Sequence, residues 1–193
     1  MKLNSKFDVW RNSSAEFRKV KSLYKFRPYH NWNHIEKCLG FFENRLNQYV
    51  TDELLFSVVY HDAIYDPTSK TNEEDSVSVA KLDLSGMGLN LNRIEDIILS
   101  TKHTYSNSFT EDSEIQCMLD VDLSILGSPK DEYDEYSKQI RNEYSYVDDA
   151  HFALGRIDFL QKMLSRKVIF NKLTELESAA RNNLYEEIVR LSR

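Results

Sequence analysis

The sequence predicts an all-α fold, a single domain of about seven to nine helices. Three observations carry this. Only five Gly and three Pro occur in 193 residues, far below the roughly 12% that the two together average, which disfavours turn-dense sandwiches and hairpin meanders. Apolar residues recur at three- and four-residue spacing along nearly the whole chain, and the few breakers fall between those segments. No internal repeat, low-complexity stretch or linker rich in Gly, Ser or Pro divides the chain, and its length suits one body that buries roughly two thirds of its unfolded surface.

The elements follow in order. A first helix is predicted from about Ser5 to Tyr24. RPYHNWNHI leads into a second, with Ile35, Leu39, Phe42 and Leu46 on one stripe. Thr51 has the character of an N-cap, with Asp52 and Glu53 in the first turn where carboxylates suit the helix dipole. That third helix carries Leu54, Leu55, Val58 and Val59 into HDAIYD. Asp66, Pro67, Thr68 and Ser69 form a loop, Asn72 caps a helix through about Leu84, and SGMG (Ser85 to Gly88) is the clearest turn. A fifth helix with Leu91, Ile94, Ile97 and Ile98 ends near His103. The sixth, opened by Thr110, bears Ile115, Met118, Leu119, Leu123 and Leu126 and stops at Gly127. Ser128 then caps a helix with Pro129 at its first position. Stretches from about Asp148 to Arg166 and Thr174 to Ser192 complete the domain, so residues 27–126 hold the candidate site and 128–192 close around it.

The formal charge of −6, from 25 Lys and Arg against 31 Asp and Glu, argues against a nucleic-acid backbone as principal partner. Cys38 and Cys117 sit in apolar helical patterns and fit reduced thiols, which predicts a cytoplasmic protein. The first residues lack a signal-peptide core and no long apolar run occurs, so no membrane is expected.

Ionisable residues on apolar stripes are the informative feature, because an unpartnered buried charge is costly. Asp62 lies seven residues after Leu55 and His61 seven after Leu54; at about 100° per residue each falls within about 20° of the residue it echoes. Asp122 is seven after Ile115 and four after Met118, in the middle of its core stripe. Asp120 is turned about 140° from Ile115, towards the second shell or the surface. His34 lines up with Cys38 and Phe41. Any one of the four has an ordinary reading as a separately satisfied polar residue. All four together, with an adjacent His-Asp among them, point to one divalent cation. Two imidazoles with two carboxylates suit Mn, Co, Ni, Fe or Zn better than Mg.

The segments RPYHNWNHI, YHDAIYDP, NEEDS, STKH, LDVDLSILG, IRNEY and GRIDFL, in that order, resemble the HD-domain superfamily of metal-dependent phosphohydrolases, within a subgroup of unassigned substrate. The resemblance runs from about Arg27 to Glu187. It implies an HD-type helical bundle with His34, His61, Asp62 and Asp122 as metal ligands. It also implies hydrolysis of a phosphomonoester or phosphoanhydride, a nucleotide among the candidates, by a metal-activated water.

Asp62, Asp66, Glu73 and Glu74 are the candidates for proton acceptor. Asp66 also suits a turn, and Glu73 and Glu74 also suit an acidic first helical turn. Some HD enzymes carry a glutamate three residues after the aspartate, where this chain has Tyr65. Arg27, His30, Asn31, Lys102, His103, Arg141 and Arg156 are the expected substrate-binding residues. His103 also suits a helix C-terminal cap, and His151 is expected at the surface. With His103 the only histidine between the His-Asp pair and Asp122, one metal is expected. The expected partners are a small phosphorylated substrate and a second copy of the chain in a homodimer. The alternative is a sensor or interaction module that binds metal and nucleotide without turnover.

Overall fold

A computed structural model describes residues 5–102 and 110–193 of the chain. Among these residues ten α-helices form and no strand does, one helix more than the upper expectation. The extra helix comes from the N-terminus. Ser14 is extended and its side chain accepts from the Phe17 amide, so the predicted first helix divides into α1 (Lys6–Ser13) and α2 (Ala15–Leu23). Ser recurs at such breaks because its hydroxyl replaces an amide's missing partner. Then follow α3 (Trp32–Asn44), α4 (Asp52–Tyr60), α5 (Asn72–Asp83), α6 (Leu91–Ser100), α7 (Ser113–Asp122), α8 (Lys130–Glu143), α9 (Asp149–Ser165) and α10 (Glu177–Leu191).

The interior is organised around α4, in which every residue from Leu54 to Tyr60 is buried. Helices α1, α3, α5, α6 and α7 pack on it, while α9 and α10 pack on each other. One continuous core runs from Phe7 and Trp10 through α4 to Leu184. Phe7, Trp10 and Phe56 meet edge-on or tilted with ring centres 5.0–5.9 Å apart, the geometry aromatic quadrupoles favour. No helix among the described residues is long and apolar enough to cross a membrane.

Several helix ends differ from the sequence expectation. Asp112, rather than Thr110, caps α7 by accepting from the amides of Glu114 and Ile115. Pro129 is itself extended and its carbonyl accepts the first helical bond from Tyr133. The helix therefore begins at Lys130, and the Ser128 hydroxyl turns back to donate to Ile125 O. Asn72 is the first residue of α5 and ties down the preceding loop through the Asp66 amide and carbonyl. Gly86 and Gly88 both take positive φ in the SGMG turn, a conformation costly for other residues.

A 3₁₀ segment, Leu123–Gly127, continues from α7 and lies against α10 and α8. Gly127 is needed there, because a Cβ would stand 2.6 Å from Leu176 Cβ.

Candidate metal centre

Three helix ends deliver four side chains to one point. Asn31 opens α3 by accepting from the Asn33 amide, which sets buried His34 in the first turn. His61 follows the last residue of α4 and continues its helical path, its amide donating to Ser57 O at 2.9 Å. The inward phase of α4 thus carries one step beyond the helix, and Asp62 comes next. Asp122 is the last residue of α7.

His34 Nε2 lies 3.3 Å from His61 Nε2, 3.3 Å from Asp122 Oδ1 and 3.8 Å from Asp62 Oδ2. His61 Nε2 lies 3.1 Å from Asp62 Oδ2 and 3.4 Å from Asp122 Oδ1. Four donors bound to one ion at about 2.1 Å would be separated by about 3.4 Å in a tetrahedron and about 3.0 Å as neighbours in an octahedron. The group could hold a metal ion on that geometry.

The outer contacts agree. His61 Nδ1 is 2.9 Å from Val58 O and donates to it, so in the neutral ring the Nε2 lone pair faces the cluster. His34 Nδ1 is 3.2 Å from the Tyr29 hydroxyl, which orients the second ring and can accept from Nδ1 when Nε2 binds a metal. Asp62 Oδ2 is buried and has no hydrogen-bond partner, although His61 Nε2 stands 3.1 Å away. An orphaned carboxylate oxygen beside two imidazole Nε2 atoms is what a cation would satisfy.

Electrostatics show what the same geometry does to a proton. Burial disfavours the His61 imidazolium, but the Asp62 and Asp122 carboxylates outweigh burial and raise its pKa well above the usual histidine value. Burial likewise opposes ionisation of Asp62, yet His61 and His30 hold it well below the usual carboxylate range.

Asp62 and Asp122 face a cavity of about 570 Å³, walled by His30, Tyr65, Tyr136, Tyr144, Tyr146, Phe152 and Arg156. A groove of about 530 Å³ between α3 and the 3₁₀ segment is lined in part by His34.

Of the expected substrate-binding residues, His30 and Arg156 line the cavity. Arg156 is buried, pairs with Glu187 through Nε at 3.0 Å and Nη2 at 3.2 Å, and donates from Nη1 to the Tyr136 hydroxyl. Arg27 instead holds the turn that carries Asp62, donating to Asp62 O at 2.5 Å and Ala63 O at 2.9 Å. Asn31 caps α3 and donates to Arg27 O and Pro28 O. Arg141 ties off the α8–α9 turn through Asp149, Tyr144 O and Val147 O. Lys102 pairs with Glu74 and Lys70 O outside the cavity, and His103 lies outside the described residues. Of the proton-acceptor candidates beyond Asp62, Glu73 lines the cavity. Asp66 is solvated and accepts from Thr68 in a turn, which lowers its pKa, and Glu74 is taken by Lys102. His151 is exposed.

Asp120 corrects the phase argument. It is fully buried, accepting from the amides of Asn171, Lys172 and Leu173, because residues 170–173 cover the face of α7 opposite the cluster.

Glu143 and Glu187 were not anticipated. Glu143, with a side chain only 3% exposed, contacts His30 Nδ1 at 2.6 Å. Helical phase signals both acids: Glu143 is three residues after Ile140, and Glu187 is three after Leu184, both apolar and buried.

Comparison with protein-family models, with curated proteins and with solved structures returns no match.

Proposed function

We propose that the chain is a metal-dependent phosphohydrolase of the HD-domain superfamily. On this reading His34, His61, Asp62 and Asp122 bind one divalent ion, and the substrate is a small phosphomonoester or phosphoanhydride such as a nucleotide. One observation carries the reading: the four-donor cluster presents two carboxylates to the floor of a cavity large enough for a phosphorylated metabolite. A bound divalent ion would supply a water of lowered pKa and would polarise a phosphoryl oxygen.

The chain's own groups support the rest. Arg27 fixes the backbone of Asp62 and Ala63, so the Asp62 carboxylate has little freedom. His30 offers a polar ring at the wall, and Tyr65, Tyr144, Tyr146 and Phe152 provide apolar faces for the remainder of the substrate. The Arg156–Glu187 pair is neutral overall, which leaves the inner wall suited to an uncharged part of the ligand rather than to a second phosphate.

The test is elemental analysis of the purified protein, followed by phosphate release from a nucleotide and sugar-phosphate panel. A bound divalent ion, and loss of both ion and activity in His61→Ala and Asp62→Ala, are expected. Protein without such an ion, and without rescue by Mn²⁺, Co²⁺ or Ni²⁺, would sink the proposal.

One observation favours the sensor alternative. With Asp66 and Glu74 engaged elsewhere, Glu73 is the one carboxylate on the cavity wall besides Asp62 and Asp122 among the described residues. Tight nucleotide binding with no product after hours would select that alternative.

A further inference from the structure

Outside the metal cluster, His30 and Glu143 form a closely held polar arrangement at the cavity, distinct from the Arg156–Glu187 pair. Glu143 Oε1 accepts from the amides of Tyr29 and His30, both at 2.9 Å, and Oε2 is 2.6 Å from His30 Nδ1. The His30 ring lies flat against Tyr65, with centres 3.9 Å apart and planes at 25°, and meets Tyr29 edge-on. Glu143 stands behind the ring and does not line the cavity. His30 lines the cavity, and with Nδ1 held on the carboxylate its Nε2, on the far side of the ring, is the nitrogen left for a ligand.

We infer that Glu143 is a positioning residue: it fixes His30 so that Nε2 meets a phosphoryl oxygen of the substrate. The inference rests on the phosphohydrolase reading for the identity of that oxygen, and on hydrogen-bond geometry alone for the positioning. Two amides from consecutive residues and one ring nitrogen on a single carboxylate are more than a loop anchor requires. The third bond keeps a proton on Nδ1. In the imidazolium, which the Asp62 and Glu143 carboxylates favour against burial, Nε2 carries a proton as well and donates it to the phosphoryl oxygen. A ring whose Nδ1 must accept can offer only an uncharged, weaker Nε2–H.

Glu143→Gln separates the two roles. The amide oxygen can still accept from the Tyr29 and His30 backbone, but its NH₂ now faces Nδ1 and forces that nitrogen to accept. Ring ¹⁵N spectra of the metal-free protein should show Nδ1 of His30 protonated in the native chain and unprotonated in Glu143→Gln, with Glu143→Asp closer to native. Calorimetric titration of the Mn²⁺-loaded protein with inorganic phosphate should give about tenfold weaker binding in Glu143→Gln and in His30→Ala, or about 1.4 kcal/mol. Their combination should be no weaker than His30→Ala alone.

Unchanged His30 ring signals in Glu143→Gln would overturn the inference, as would additive weakening in the double variant. Neither readout needs turnover, so a protein that binds phosphate but hydrolyses no ester would count against the enzyme reading and not against Glu143.

Discussion

Asp122→Asn tests the metal centre directly. The substitution keeps the shape of the side chain while removing the charge that lies 3.3 Å from His34 Nε2 and 3.4 Å from His61 Nε2. At free Mn²⁺ about 100 times the dissociation constant, a bound ion stabilises the native chain by about 2.7 kcal/mol. A chain of this length gains about 2–4 °C in Tm per kcal/mol, so the ion should raise the native Tm by about 5–11 °C. Loss of a residue behind a ligand already weakens binding about 10–100-fold, and loss of a ligand should do at least the upper figure. At the same Mn²⁺ concentration the variant's site is then half filled, which contributes about 0.4 kcal/mol or about 1–2 °C. The assay is thermal denaturation of chelator-treated native, Asp122→Asn and Asp158→Asn proteins, each with and without Mn²⁺, Asp158 being a surface partner of Lys162. Comparing each protein with itself cancels any change in metal-free stability. A full Mn²⁺ shift in Asp122→Asn, or none in the native chain, would refute the assignment.

Three further outcomes are expected. The raised His61 pKa contributes stability that is complete below about pH 6.5 and is lost as pH rises through the folded value, whereas the depressed Asp62 contributes above about pH 3.9 and is lost on acidification through its folded value. Metal-free protein should therefore weaken towards alkaline pH while the Mn²⁺ shift grows; a Mn²⁺ shift largest in acid would contradict this. Glu187→Gln leaves the buried Arg156 charge without its carboxylate and should cost about 3–5 kcal/mol in urea denaturation, a loss under 1 kcal/mol being inconsistent with the pair. Gly127→Ala drives a methyl to 2.6 Å from Leu176 Cβ and 2.8 Å from Leu176 O, neither the end of a flexible side chain, and should cost about 1–3 kcal/mol; an unchanged denaturation midpoint would show that the segment yields freely.

Helical periodicity carried the fold class because few turns interrupt it, and it carried the cluster because His61, Asp62 and Asp122 echo apolar residues one heptad earlier. It failed where a residue's partner is distant in sequence. Nothing local distinguishes the Arg27 that grips a backbone turn from one that awaits a phosphate, or the Arg141 that closes a loop from one that lines a cavity. Asp120 shows the same limit from the other side. Its phase excluded it from one core face, but the segment at residues 170–173 builds a second buried face from three backbone amides. Ser14 and Pro129 misled only at the scale of a single cap, where the choice between continuing and stopping a helix is worth about 1 kcal/mol.

The acids that could be misjudged and those that could not differ in what surrounds them. Glu187 and Asp120 are buried but answered: one by a guanidinium, a phenol and a hydroxyl, the other by a row of amides. Their burial therefore needs nothing from outside the chain. Asp62 Oδ2 has no such answer, and the one group near enough to supply a proton, His61, already donates from Nδ1 to Val58 O. For His61 to serve Asp62 as well, it must become an imidazolium inside the core. That is why its pKa rises against the cost of burial, and why a proton and a divalent cation would compete for one place, since an Nε2 that carries a proton has no lone pair for a metal. Fold stability, metal affinity and pH are thus tied together at His61. Substitutions there should change all three, whereas those at Glu187 or Asp120, whose own shifted pKa values also tie stability to pH, should leave metal affinity unchanged.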